Sequence, residues 1–88
     1  MRTRKLARQR GWVMLDISPE IDYSLSRAIC AQDFNRVHEE MDQWCKDRIG
    51  SDNYKSCQIL GSRENWRSRF MFKGGKYLTF FELAWLSK

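Results

Sequence analysis

Histidine occurs once in this chain, cysteine three times without a paired spacing, and no acid stands in the first ten residues. A single histidine, His38, excludes a multi-histidine metal centre and leaves one imidazole as a candidate general base. Cys30, Cys45 and Cys57 are odd in number and irregular in spacing, which does not suit a disulfide framework and points to a reducing compartment, expected to be the cytoplasm. By count, those cysteines and His38 could form a Cys3His zinc site. The closely paired cysteines of structural zinc are missing, so no metal or other cofactor is expected. No apolar run approaches the ~18 residues of a membrane span, and the charges after Met1 are not followed by the apolar stretch a secretory leader requires, so no membrane partner is expected. The Walker pattern is also absent, and Gly74-Gly75 between Lys73 and Lys76 reads as a turn before it reads as a phosphate cradle.

What is present is an aromatic body with a basic leading segment. At 88 residues the chain makes one domain with one core, and 14% aromatic with 42% hydrophobic content is too apolar for a disordered polypeptide. Residues 1–10 carry five basic residues and no acid; residues 11–50 hold four basic and eight acidic groups; residues 51–88 hold seven and three. Charge is therefore polarised along the chain, with a cationic arm over 1–10 ahead of a folded domain over 11–88.

Trp12-Val-Met-Leu-Asp-Ile17 reads as a strand bounded by Ser18-Pro19. From Pro19 to Gln32 no clean period appears, which suits a loop with a helical turn or two. Phe34, Val37, Met41, Trp44, Cys45 and Ile49 then recur at steps of three and four, predicting an amphipathic helix over about 33–49, with Asp33 as its N-cap and Gly50 beyond its end. Tyr54 to Leu60 reads as a further strand. In Trp66 to Phe72 a period of two puts Trp66, Ser68, Phe70 and Phe72 on one face and Arg67, Arg69, Met71 and Lys73 on the other. Residues 76–86 suit a strand after a two-glycine hairpin, or a helix; Lys76, Thr79 and Glu82, three apart, favour the helix. The expected fold is α+β in two layers, a helix on a small antiparallel sheet with one closing element.

The catalytic inventory is thin. Glu39, Glu40, Asp42 and Asp47 lie on the polar side of the predicted helix, as solvated charges do. A Cys-His nucleophilic pair has no orienting group or oxyanion site nearby in sequence. Cys30, Cys45 and Cys57 are expected to be small buried hydrophobes. A non-enzymatic binding role is the expectation. Its candidate residues are Arg2, Arg4, Lys5, Arg8 and Arg10 on the arm and Arg67, Arg69 and Lys73 on the strand, placed to neutralise phosphates or an acidic protein surface. Base stacking on that strand is not expected, because Trp66, Phe70 and Phe72 point to its other face.

The series Trp44-Cys45, Gly50, Trp66, Phe70-x-Phe72 and Phe81-Glu-Leu-Ala-Trp85, over about residues 34–86, resembles small uncharacterised proteins encoded by tailed bacteriophages. That resemblance implies a setting in which a small protein docks on a host protein complex or larger assembly and redirects it, in the host cytoplasm. It transfers no activity and no functional residues. In that pattern a charged helix start follows Phe72, whereas here the residues are Lys73-Gly74-Gly75. DNA or RNA binding through the basic arm and a virion accessory role are the alternatives. A remote one is likeness to small mRNA-interferase toxins, from which the ending Leu86-Ser87-Lys88 departs.

Overall fold

Two residues with positive φ, Arg10 at 53° and Gly11 at 81°, reverse the chain between its first two strands. This is the combination a type I′ hairpin turn requires, and its twist matches that of the flanking strands. The computed structural model describes residues 2–62 and 65–86 and, outside residues 7–9, their side chains. Arg2–Gln9, expected as an arm ahead of the domain, is strand β1, antiparallel to β2 (Trp12–Ser18). The register shifts between Leu6 and Gln9, so β1 carries a bulge just before the turn. The arm is ordered because the turn fixes its register and β2 offers a free edge for its backbone groups.

Helix α1 spans Arg27–Arg48, six residues longer at its start than the apolar period predicts. Ser26, not Asp33, is its N-cap, and its hydroxyl accepts a hydrogen bond from the Ile29 amide at 3.3 Å. The added turns carry Cys30, four residues before Phe34 and on the same helix face, and the two pack with Trp66 in a small satellite cluster beside the main core. At the other end Gly50, with φ 94°, donates its amide to the Cys45 carbonyl at 3.0 Å, which closes the helix as expected. Strands β3 (Tyr54–Ile59) and β4 (Arg67–Phe72) follow, then helix α2 (Gly75–Trp85). Gly74 precedes α2 at φ 113°, a backbone conformation that L side chains rarely adopt, which explains the glycine there.

The sheet runs β1-β2-β4-β3, all antiparallel. One face is covered by both helices: Leu15, Ile17, Phe70 and Phe72 of the sheet pack with Met41 and Cys45 of α1 and Leu78 and Phe81 of α2. Phe81 sits between the Phe70 and Phe72 rings, at centroid distances of 5.2 and 5.3 Å. Fully burying each such ring contributes roughly 1.5–3 kcal/mol, so the fold rests on this cluster. Asp42 of α1 is tied to the sheet by the Tyr54 hydroxyl at 2.9 Å and the Ser56 hydroxyl at 2.6 Å. The result is the predicted two-layer α+β architecture, with the last element a helix. Among the described residues no helix is long and apolar enough to cross a membrane.

Candidate functional site

Directly paired residues of an antiparallel ladder share a face. The pairs Leu15–Phe70 and Ile17–Ser68 belong to the covered face, so the pairs Met14–Met71 and Asp16–Arg69 belong to the open one. The same parity puts Arg2, Arg4 and Leu6 of β1, Trp12 and Ser18 of β2, Arg67 of β4 and Lys55 and Cys57 of β3 on the open face. This face carries a band of cations around an aromatic and two thioethers, and Asp16 is the one acid among its described strand residues.

Asp16 is only 3% exposed although no helix covers it. Arginines cover it instead. Arg69 donates from Nε to Oδ1 at 2.8 Å and from Nη2 to Oδ2 at 3.1 Å, and Arg67 Nε lies 3.5 Å from Oδ2. The bidentate pair holds the Arg69 guanidinium above its usual value, chiefly through the hydrogen bond to Asp16. Arg67 Nε is buried and makes no hydrogen bond, so Arg67 is attracted to Asp16 without being saturated by it.

Two hollows open on this face. The larger, about 470 Å3, lies at the hairpin end and is lined by Arg10, Trp12, Met14, Lys55 and Met71. Its size falls within the roughly 300–1,000 Å3 of small-ligand pockets. Lys55 Nζ stands 4.9 Å from the centroid of the Trp12 ring, a cation–π contact worth about 0.5–1 kcal/mol at an exposed site. The smaller, about 230 Å3, lies at the other end and is lined by Arg2, Arg4, Asp16, Ser18, Asn65 and Arg67. From Trp12 to Ser18 is six steps along β2, about 20 Å at strand rise, so the hollows mark the two ends of one cationic track.

The residues expected to bind a partner therefore divide. Arg2, Arg4 and Arg67 meet at one hollow and Arg10 borders the other. Lys5 is on the opposite face, where its ammonium lies 3.4 Å from Glu82 of α2. Arg69 is engaged by Asp16, and Lys73 lies in the bend after β4 and lines neither hollow. The Arg8 side chain lies outside the described residues. Trp12, Met14, Lys55 and Met71 were not singled out in the sequence. The signal was there in the parity of β2, since Leu15 and Ile17 in the core oblige Trp12, Met14 and Asp16 to face away.

The chemistry-bearing residues lie elsewhere. His38, on the covered side, has its Nδ1 2.9 Å from the Ser68 hydroxyl, and burial holds the imidazole below its usual value against the opposing charges of Asp42 and Glu39. Cys30 and Cys45 are buried, and burial pushes the Cys45 thiol up to about 12, far from the thiolate form. Cys57, expected to be buried, is exposed, because it pairs with Arg69 on the open face. No group of three or more metal-ligating side chains is assembled among the described residues. Compared with protein families, curated proteins and solved structures, the chain matches none.

Proposed function

We propose that this chain is a non-enzymatic nucleic-acid-binding protein whose open sheet face tracks a phosphate backbone. One observation carries the reading: Arg2, Arg4, Arg10, Lys55 and Arg67 lie along an uncovered face whose one strand acid, Asp16, is already held by Arg69. Phosphate contact depends on such a density of cations, and guanidinium groups suit it by their planar donor geometry. The setting implied by the phage-like residue pattern, a bacterial cytoplasm under infection, accommodates this role.

Five contacting cations set the size of the effect. For a single strand, the logarithm of the association constant should fall with the logarithm of salt at a slope of about −3.5, and for a duplex at about −4.5. Fluorescence anisotropy of a labelled oligonucleotide across a salt series measures it. Arg4→Ala and Arg67→Ala should each flatten the slope by roughly 0.7–0.9. Affinity that ignores salt, or variants that bind as the parent does, would refute the proposal.

A second reading, docking on a host protein complex or larger assembly, draws support from the helical layer. There Phe80 and Leu83 are 45% and 65% exposed, and Phe80 lies 5.1 Å from the Trp44 ring. It requires a stoichiometric complex that survives nuclease treatment and is lost in Phe80→Asp. A complex that dissolves with nuclease returns the weight to the open sheet face.

A further inference from the structure

We infer that the hollow between Trp12, Met14 and Met71 receives one unstacked base of single-stranded nucleic acid, with the Trp12 indole as its stacking platform. The inference rests on the nucleic-acid reading and specifies the form of the ligand. Trp12 opens β2 immediately after the hairpin turn and is paired with Gln9, so its backbone is held from both sides of the turn. Its ring is only half buried and lies on the open face, out of the core that holds Phe70, Phe72 and Phe81. Met14 and Met71 pair directly beside it and supply a polarizable floor. Arg10 and Lys55 stand at the rim, where the phosphates flanking a seated base would lie.

Lys55 now caps the Trp12 ring. That contact is weaker than a base stack, so an arriving base displaces the ammonium, which then has a phosphate to meet. The interior of a duplex cannot make this exchange, because each internal base has both faces covered by neighbours. An acidic peptide would answer the cations but leave the aromatic face and the thioethers without a counterpart. The cationic hollow at Arg2, Arg4 and Arg67, about 20 Å along β2, would hold the strand's backbone beyond the stacked base.

The test compares the full chain's affinity, at low salt, for a short oligothymidylate, the same strand annealed to oligoadenylate, an abasic strand of equal length and a polyglutamate peptide. The thymidylate strand should bind tightest. Trp12→Ala should weaken it by roughly ten- to a hundred-fold while leaving the abasic strand unaffected. Trp12→Phe should retain most of the affinity. Binding should quench the parent's tryptophan fluorescence, and that quench should vanish in Trp12→Phe, whose other three tryptophans remain. Equal affinity of the parent for abasic and thymidylate strands, or a quench that persists in Trp12→Phe, would overturn the stacking inference while the phosphate-binding proposal stood. Polyglutamate bound in preference to every oligonucleotide, or no oligonucleotide bound, would overturn both. If Trp12→Ala fails to fold by circular dichroism, the abasic comparison and the Trp12→Phe quench still decide.

Discussion

Replacing Asp16 with asparagine should make the protein less stable and bind polyanions more tightly. The carboxylate accepts two charge-assisted hydrogen bonds from Arg69 and the attraction of Arg67, and it is 3% exposed. Breaking a fully buried pair costs about 3–5 kcal/mol. Two features reduce that here. The Arg69 and Arg67 side chains are 28% and 36% exposed, so they can regain water, and asparagine keeps one acceptor oxygen in place. Against that, its amide nitrogen turns a donor toward arginine donors. The expected loss is about 2 kcal/mol, which for a domain of this size lowers Tm by roughly 8–16 °C. The same change removes the one acid of the open strand face and releases Arg69, adding one or two cations to the track. The salt slope for a single strand should steepen by about 0.7–1.4. Urea unfolding followed by circular dichroism measures the first effect and oligonucleotide anisotropy the second. A variant as stable as the parent would show that the arginine clasp contributes nothing. A destabilised variant with unchanged or weaker binding would show that the open face does not meet phosphate.

His38 provides a pH test. Its folded-state value is lowered, chiefly by burial, so the unfolded chain takes up a proton first. The stability it contributes is complete above its ordinary value of about 6.5 and is lost as pH falls through the lower folded value. Between about pH 7 and about 5.5 the parent should therefore lose more stability than His38→Asn, and parallel curves would refute the assignment. Arg10→Asn tests the hairpin. Arg10 holds φ 53°, where asparagine is favoured, so the variant should gain about 1 kcal/mol in urea unfolding while losing affinity for the oligonucleotide. A variant no more stable than the parent would remove the strain argument.

Strands β2, β3 and β4 and the bulk of α1 are legible in the sequence because their apolar spacing reports directly on the face each presents to one shared core. Strand β1 is not legible that way. Arg2, Arg4 and Lys5 are the composition of a solvated tail, and only the Arg10-Gly11 turn and the free edge of β2 make them a strand. The start of α1 is less legible because its first turn holds one buried residue, Cys30, whose partner Trp66 is distant in sequence, and Ser26 caps it ahead of the apolar period. For the site, composition identified cations but could not sort Lys5 from Arg4, which depends on pairing register. Asp16, a charge in the middle of an apolar strand, is the most informative residue for the site. A carboxylate in that position needs a cation from a neighbouring strand, and finding it locates the open face.

Strand β1 is also an edge, with one row of backbone donors and acceptors turned to solvent. Exposed edges invite a second copy to add its own strand, and Arg2, Arg4 and Lys5 oppose this, because two such edges would bring like charges together. Arg2 and Arg4, assigned to ligand contact, thus also act as a guard against self-association. Neutralising Arg2 and Arg4 together removes that guard, and the double variant should cluster through β1. Light scattering measures the clustering, and a polyanion lying along β1 would remove the same repulsion by ordinary charge neutralisation.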